Sequence, residues 1–277
     1  MLVNMIDLLN RAKESKTAVL QLNINNLEWT KYILETCQEL QSPIILGVSE
    51  SAIKHIGGYT TVVNLVVGLM IDLKVSVPVV LHLDHGSSFD SCRDAIDAGF
   101  TSVMIDQSKK SLQENILVTS EVVKYAYKYK VSVEGELGII NTKTTNTTSS
   151  NVEDCVKYAS STGIDALAPA VGNAHGIYNI KPKLDFKRIK EISDETGLPL
   201  VLHGGTGISE EDIKKCIECG ITKININTEL QLEWAKGLRE YLKVNKEVYD
   251  PRKIISSGEQ NMKTKIAKII ALLNKNR

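Results

Sequence analysis

Short apolar runs and longer amphipathic stretches alternate along the whole chain. The runs are rich in Val, Ile and Leu and often open on a proline, which is typical of buried parallel strands. We predict strands at residues 18–24, 43–49, 78–83, 101–106, 131–136, 166–171, 198–203 and 221–226. Between them, apolar positions recur at helical spacing, which predicts helices. These include residues 6–16, 29–40, 59–73, 88–98, 112–128, 152–162, 185–196 and 210–219.

This alternation predicts the fold. Strands that alternate with helices form a parallel sheet, and eight such units are the number that closes a barrel. We therefore predict an α/β fold, a (β/α)8 TIM barrel with extra helices at the N- and C-termini. The chain has 277 residues, and such a barrel commonly takes roughly 250 residues as one domain. No low-complexity linker interrupts the pattern, so we expect a single domain over residues 1–277.

The charge balance narrows the class of partner. Lys and Arg (33) equal Asp and Glu (33), so no strong field favours nucleic acid or an anionic membrane surface. No apolar run reaches membrane-spanning length, and the first residues carry an acid, Asp7, where a signal peptide needs basic residues. We expect a cytoplasmic protein whose partner is a small molecule.

The cysteines do not indicate a disulfide framework. There are five, an odd count, and they are scattered along the chain. Cys216 and Cys219 form a Cys-x-x-Cys motif, but no second pair completes a zinc site. Because they fall in a predicted helix, we expect them to serve helix packing.

The first chemical signal is an acid beside an imidazole, Asp84 and His85, where the third strand runs out into a Gly-Ser turn. Imidazole is a common metal ligand, and a carboxylate beside a metal can carry a proton. Taken alone, the pair fits a solvated turn with a helix cap better than a catalytic site. The barrel offers a test, because barrel enzymes place their sites at the carboxyl ends of the strands.

Polar residues do lie at the carboxyl ends of the predicted strands or just after them. They are Asn23, Ser49, Asp84, His85, Asp106, Glu134, Glu136, His175, His203 and the run from Asn225 to Thr228. Three of the five histidines fall in this set, and three imidazoles with a water or substrate oxygen make an open catalytic zinc site. His82 lies inside a strand and His55 in a helix or loop, so we expect core or surface roles for them.

A glycine-rich turn adds a second signal. The run HGGTG at residues 203–207 follows a strand and precedes an acidic helix start at residues 208–212. Backbone amides at such a start bind phosphate, and barrel loops after strands seven and eight often hold such sites. Residues 225–228, NINT, add amide and hydroxyl donors from the neighbouring loop. A glycine turn alone more often reverses the chain, but this one adjoins a candidate zinc ligand.

Six motifs in order carry a family resemblance. They are LHLDHG at residues 81–86, VEGELG at 133–138, APAVGNAHG at 168–176, LHGGTG at 202–207, KININT at 223–228, and YDPR at 249–252. In this combination, over nearly the whole chain, the sequence resembles the class II, zinc-dependent fructose-bisphosphate aldolase family.

The resemblance implies roles for individual residues. His85, His175 and His203 would hold the catalytic Zn²⁺, and Asp84 would donate or accept the proton at the cleaved C3–C4 bond. Asp106 and Glu136 match positions that hold the metal in a second, displaced location. The matching phosphate loops contain Gly176, Gly204, Gly205, Thr206, Asn225, Ile226, Asn227 and Thr228. Asn23 and Ser49 are further substrate-binding candidates, and Arg252 is a candidate for the second phosphate, although an arginine near the carboxyl terminus is usually just solvated.

The implied reaction is reversible aldol cleavage of fructose 1,6-bisphosphate to dihydroxyacetone phosphate and glyceraldehyde 3-phosphate through a zinc-stabilised enediolate. Co²⁺ or Fe²⁺ could also occupy three histidines, and a monovalent cation is a further expectation. The family resemblance implies a homodimer or homotetramer. Apolar faces in residues 234–277 could pack either on the barrel or on a partner.

One segment departs from the family. After residue 138 the family carries a mobile loop with a Gly-Gly pair and acidic residues, one of which helps to shuttle the proton. Here residues 139–151 read IINTKTTNTTSSN, which is shorter and contains neither glycine nor acid. The missing acid would slow the proton step by roughly 10²- to 10³-fold. We expect zinc and phosphate binding to survive.

Three alternatives stay open. Tagatose bisphosphate or another ketose phosphate differs too little from fructose 1,6-bisphosphate to be excluded as the substrate. Asn227 favours the fructose substrate, because the family's tagatose enzymes tend to carry a small residue at the matching position. The altered loop is also compatible with a weakened, sugar-phosphate-binding or moonlighting protein. A class I lysine aldolase is disfavoured because the sixth strand, at residues 165–171, contains no lysine.

Overall fold

Eight parallel strands pair in chain order and close into a barrel, with the last strand returning to the first. The computed structural model describes residues 2–140, 149–174, 176 and 182–274. The strands are β1 Val19–Asn23, β2 Ile44–Ser49, β3 Val79–Gly86, β4 Ser102–Ile105, β5 Ser132–Leu137, β6 Ala166–Pro169, β7 Leu200–Leu202 and β8 Ile221–Ile226. The predicted (β/α)8 barrel is confirmed.

Helices connect the strands, and further helices precede the first strand and follow the last one. They are α1 Ile6–Ser15, α2 Leu27–Glu39, α3 Glu50–Ile56, α4 Tyr59–Asp72, α5 Phe89–Ala98, α6 Leu112–Tyr129, α7 Val152–Thr162, α8 Phe186–Thr196, α9 Glu210–Glu218, α10 Thr228–Val244, α11 Pro251–Ser256 and α12 Glu259–Leu273. The short helix α3 is absent from the sequence prediction. It begins at a Ser49 cap and ends at Gly57, which adopts φ 121°.

Strand side chains alternate between two apolar environments. Outward positions such as Leu20 and Leu22 pack in the large cluster that includes buried side chains of the surrounding helices. Inward positions near the amino ends form a separate small cluster, together with α1. Its fully or nearly buried members are Met5, Leu9, Ala12, Val19, Ile45, Val80, Ala166, Ala168 and Val201. The leading helix therefore packs against the bottom of the barrel interior.

Above this apolar plug the barrel interior becomes polar. Gln21, His82, Glu134 and Lys223 are all 0% exposed. The next inward positions towards the carboxyl ends are also polar and nearly buried, and they include Asn23, Asp84, Glu136, His203 and Asn225. The interior thus changes from apolar at the amino end to ionisable at the mouth.

The carboxyl-terminal helices pack largely on their own barrel. The ring of Trp234 on α10 meets Trp29 on α2 edge to face, with centroids 6.1 Å apart. On α12, Ile266, Ile269 and Ile270 belong to the main core. Of the two packing modes left open by the sequence, intramolecular packing therefore accounts for α12.

The cysteines are free thiols, as expected from their spacing. Cys216 is buried on α9 and Cys219 directly follows that helix. Helix packing, rather than a disulfide, therefore accounts for the Cys-x-x-Cys motif.

Among the helices of the described residues, none is both long and apolar enough to cross a membrane.

Candidate active site

A bulge in β3 brings two neighbouring residues to the barrel mouth. The strand continues to Gly86, beyond the predicted end at residue 83, and its pairing with β4 shifts register between Leu83 and Gly86. His85 adopts φ 55°, a left-handed conformation that is uncommon for a residue with a side chain. In a regular strand, Asp84 and His85 would point to opposite faces. The bulge re-aims them so that both approach His203.

Asp84 is held by two amide side chains from β1. Gln21 Nε2 donates to Oδ1 at 3.1 Å, and Asn23 Nδ2 donates to Oδ2 at 2.7 Å. Burial alone would favour the neutral acid. The positive charge of His85, the neighbouring imidazole of His203 and the hydrogen bond from Asn23 outweigh it and hold the pKa of Asp84 well below its usual range. Asp84 is therefore an oriented anion at the base of the mouth.

His85 lies between carboxylates on β5 and after β4. Its Nδ1 is 3.1 Å from Asp106 Oδ2 and 3.7 Å from Glu136 Oε2. Burial opposes the charge of His85, but Asp84, Asp106 and Glu136 raise its pKa to about 9. Burial and the charge of Asp106 raise the pKa of Glu136 to about 8. Such a cluster of acids around one imidazole favours the binding of a cation.

His203, at the end of β7, is oriented by a buried ionic network. Its Nε2 donates to Glu134 Oε1 at 2.8 Å, and Glu134 Oε2 accepts from Lys223 Nζ at 2.5 Å. Asn173 Nδ2 donates to the His203 carbonyl at 3.0 Å. The ring of His203 packs edge to face on His85, with centroids 4.8 Å apart. A carboxylate that fixes the second ring nitrogen is the usual support of a metal-binding histidine.

These side chains fit a metal ion. Nitrogen and carboxylate oxygen atoms of Asp84, His85 and His203 lie within 4.8 Å of one another, and those of His85, Asp106 and Glu136 form a second such group. The buried Glu136 Oε2 has no hydrogen-bond partner among the described residues. A mixed set of imidazole nitrogens and carboxylate oxygens suits Zn²⁺. The third predicted ligand, His175, lies outside the described residues.

The two predicted phosphate loops lie side by side. Gly205 N donates to the Asn225 carbonyl at 3.0 Å, and Glu229 N donates to Thr206 Oγ1 at 3.3 Å. Helix α10 begins here at Thr228, and its N-cap residue Asn227 makes no side-chain cap. The first turn of α10 thus has no cap from its own N-cap side chain, and Thr206 accepts only the Glu229 N–H. It is the helix start beside this glycine turn that can receive an anion.

Helix α9, whose start the sequence analysis associated with phosphate, is already capped. Ser209 accepts from Asp212 N at 3.2 Å, and its hydroxyl donates to the Asp212 carboxylate at 2.7 Å. Three acids occupy the first turn, so repulsion disfavours an anion there. The first turn of α10 contains one acid, Glu229, so its charge opposes an anion less than that of α9.

The remaining predicted site residues differ in their placement. Ser49 Oγ caps α3 by accepting from Ala52 N. The side chain of Ile226 is buried in the outer core, so only its backbone can serve a ligand. Gly176 adopts φ 89°, and no atom of the described residues lies within 4 Å of an added Cβ. Arg252 has a side chain that is 89% exposed and paired with Asp250, so its described contacts do not join it to the other candidates.

Three interior residues received no role from the sequence: Gln21, Glu134 and Lys223, of which only Glu134 was noted at a strand end. Each lies two positions before a predicted site residue, namely Asn23, Glu136 and Asn225. Because side chains two apart on a strand share a face, this spacing was the signal that could have found them.

A parallel barrel with imidazoles, carboxylates and a helix start at its mouth is an enzyme architecture. The chain belongs to the class II fructose-bisphosphate aldolase family: the family model described as "Fructose-bisphosphate aldolase class-II" matches residues 3–277. The protein is therefore an enzyme of the lyase class.

Individual relatives agree. The chain is 52% identical over 270 residues to a fructose-bisphosphate aldolase of Geobacillus stearothermophilus, covering 96% of this chain and 94% of that one. It is 51% identical over 267 residues to a fructose-bisphosphate aldolase of Staphylococcus epidermidis, with 95% and 93% covered. Among solved structures, the YdjI aldolase from Escherichia coli K12 superposes with a TM-score of 0.87 at 30% identity, covering 100% and 98%.

Proposed function

We propose that this protein catalyses the reversible, zinc-dependent aldol cleavage of fructose 1,6-bisphosphate to dihydroxyacetone phosphate and glyceraldehyde 3-phosphate. The main support for this proposal is the buried Asp84 anion. Both of its carboxylate oxygens accept hydrogen bonds, and it lies within 4.8 Å of possible ligand atoms of His85 and His203. The substrate is suggested by the names of relatives that match nearly the whole chain.

His85 and His203, together with the predicted His175, would hold the zinc ion, and Asp106 and Glu136 offer a second location beside His85. When bound, zinc supplies Lewis-acid stabilisation of the negative charge that develops in the dihydroxyacetone phosphate fragment, an enediolate. Nitrogen ligands also accept Co²⁺ and Fe²⁺, so the identity of the metal is part of the proposal.

Asp84 moves the proton at the aldehyde end. In the cleavage direction its carboxylate accepts the proton of the C4 hydroxyl as the C3–C4 bond breaks and C4 becomes a carbonyl carbon. In the synthesis direction it returns that proton. Its lowered pKa keeps it in the ionised form, which is the form that can accept a proton, and the bonds from Gln21 and Asn23 fix its direction.

The phosphate of the dihydroxyacetone half would be bound where the glycine turn meets α10. The supporting features are the start of α10, whose N-cap side chain makes no cap, the adjacent Thr206 hydroxyl, and the positive φ of Gly176. Binding of the second phosphate by Arg252 stays a prediction. The guanidinium group of Arg252 is exposed, and a phosphate would have to replace the Asp250 carboxylate as its partner.

A second candidate function is a sugar-phosphate-binding protein with slow turnover. The sequence of residues 139–151 favours it, because the segment contains no acid to shuttle the second proton. Residues 141–148 lie outside the described residues. The described base of the segment is fixed by Ser150, whose hydroxyl donates to the Leu137 carbonyl at 2.6 Å.

Turnover separates these functions. Fructose 1,6-bisphosphate and tagatose 1,6-bisphosphate should be compared in a coupled assay of triose phosphate release, with the protein saturated with zinc. We expect cleavage with preference for the fructose substrate. Preference for the tagatose epimer would reassign the substrate, and tight binding of a ketose bisphosphate without turnover would support the binding protein.

We also propose that residues 1–277 form one folding unit that assembles into a homodimer or homotetramer. Helix α4 exposes apolar side chains, Ile71 at 69% and Val67 at 37%, and Val244 at the end of α10 is 81% exposed. Sedimentation should give twice or four times the 30.6 kDa chain mass, and a monomer at micromolar concentration would contradict the assembly.

A further inference from the structure

We propose that Gln21 is a positioning residue that holds the Asp84 carboxylate out of the coordination shell of the metal. This inference rests on the proposed metal site and gives the proposed proton-transfer role of Asp84 its physical basis. Neither Gln21 nor its partner glycine, Gly47, belongs to the set of site residues suggested by the family motifs.

The carboxylate of Asp84 faces two competing roles. Its oxygen lies within 4.8 Å of the ligand nitrogens of His85 and His203, which is within reach of an ion shared with them. Coordination would draw charge from the carboxylate and weaken it as a proton acceptor. Two hydrogen bonds oppose this coordination. The side-chain amide of Gln21 donates to Oδ1 of Asp84, and that of Asn23 donates to Oδ2.

A glycine on the neighbouring strand makes room for this contact. A Cβ added to Gly47 would lie 2.5 Å from Gln21 Nε2, 2.9 Å from its Cδ and 3.2 Å from its Cγ. Gly47 lies in the middle of β2 and does not adopt a positive φ, so its backbone conformation does not itself require glycine. The space that Gly47 leaves is therefore occupied by the Gln21 amide that bonds Asp84.

Gln21 is poorly suited to a purely structural role. It is 0% exposed, and its Oε1 has no hydrogen-bond partner among the described residues. A buried amide oxygen without a partner lowers stability, and an apolar side chain of similar size avoids this cost. The bond from Nε2 to Asp84 is the compensating interaction that distinguishes glutamine from leucine at this position.

The main test replaces Gln21 by leucine in the full-length protein and loads wild type and variant with Co²⁺. We expect Gln21→Leu to let Asp84 approach the ion, so that the visible Co²⁺ absorption weakens as a ligand is added. With zinc, kcat should fall by about 10- to 100-fold, the range seen for supporting residues, with a smaller change in KM. In the metal-loaded protein the thermal midpoint should change little, because the Asp84 oxygen that loses the bond from Gln21 gains the ion as its partner.

A second variant tests the same contact from the other side. Gly47→Ala should displace the Gln21 amide and reproduce both the loss of kcat and the Co²⁺ shift. In a Gln21→Ala background, the same Gly47→Ala change should add little, because the three nearest atoms to the new Cβ belong to the removed side chain. Gly68→Ala on α4 is the matched control, since no other described residue outside its own helix backbone comes within 4 Å of its added Cβ.

The outcomes separate this inference from the proposed function. An unchanged Co²⁺ spectrum in Gln21→Leu overturns the inference, whether or not kcat falls. A loss of kcat that parallels a loss of thermal stability also overturns it, since that would be a structural effect. If wild type fails to cleave any ketose bisphosphate, the proposed function fails, while the Co²⁺ spectra of wild type and variant still decide the role of Gln21.

Discussion

At the scale of single residues, partners decide the role of each histidine. His82 and His85 are three positions apart, yet only His85 reaches the carboxylates at the mouth. His82 is fully buried, its Nδ1 lies 2.7 Å from Ser102 Oγ, and burial with the charge of Lys223 lowers its pKa to about 3. It is therefore neutral, and the core role expected from the sequence is confirmed.

Replacing the proposed proton carrier should abolish most of the activity. Asp84→Asn keeps the side-chain volume but removes the basic oxygen, so we expect kcat to fall by about 10²- to 10⁴-fold. The coupled assay measures this, with zinc content determined in parallel. Asp97→Asn is the matched control, because Asp97 bonds Tyr125 on the outer helices. Retention of more than a tenth of kcat in Asp84→Asn would exclude Asp84 as the proton carrier.

Thiol reactivity offers a pH-dependent check of burial. Burial raises the pKa of Cys37 and Cys92 to about 12, and it also raises that of the half-buried Cys219. Because the thiolate is the nucleophile, raised pKa values suppress alkylation at pH 8, and reactivity should increase as the pH rises. Mass spectrometry after iodoacetamide treatment should find Cys219 modified first. Early modification of Cys37 would show that its helix opens readily.

The sequence predicted the residues with distinctive chemistry and missed the ones that support them. Asp84, His85 and His203 are conspicuous because acids and imidazoles at strand ends are few. Gln21 and Lys223 are residue types that usually lie on the surface, so only their position inside a closed barrel reveals their role.

At the scale of elements, local patterns located strands and helices but not their irregularities. The sequence predicted the end of β3 at residue 83, whereas the strand continues to Gly86 through a bulge. Gly86 permits this, since a Cβ there would lie 2.6 Å from the Met104 carbonyl oxygen of β4. That contact is set by the pairing of two strands and is not encoded in either strand alone.

Helix α6 should depend on its capping box. Ser111 Oγ accepts from Glu114 N, and the Glu114 carboxylate accepts from Ser111 N at 3.0 Å. Ser111→Ala removes the cap and should lower the free energy of unfolding by about 1 kcal/mol, measured by urea denaturation. Ser111→Gly should cost only a few tenths of a kcal/mol. Equal losses for the two variants would contradict the assignment of a side-chain cap.

At the scale of the whole molecule, a buried ion pair spans the barrel interior. Glu134 on β5 and Lys223 on β8 are both 0% exposed, and they connect strands that are distant in the chain. Glu134→Leu leaves the ammonium group of Lys223 buried without its partner, so we expect a loss of about 3–5 kcal/mol in the free energy of unfolding.

The matched control removes both charges. Glu134→Leu combined with Lys223→Met should recover much of the stability in the same urea titration, because no unpaired charge then remains. A double variant as unstable as the single one would show that packing around Glu134, rather than charge, determines the loss.

The overall architecture was the most predictable property. The strand count and the alternation with helices follow from hydrophobic period alone, and both match the closed barrel. The packing of α12 could not be predicted, because its apolar face suits the barrel and a partner chain equally. The preference for α10 over α9 as the anion-binding end depends on capping contacts that only the three-dimensional arrangement shows.

The central claim is metal-dependent cleavage of fructose 1,6-bisphosphate at the mouth formed by Asp84, His85 and His203. The most direct test is the coupled cleavage assay before and after treatment with EDTA, followed by titration with zinc. We predict that activity disappears with the chelator and returns with a stoichiometric amount of zinc. Cleavage that survives EDTA, and is lost instead on borohydride treatment in the presence of substrate, would contradict the account.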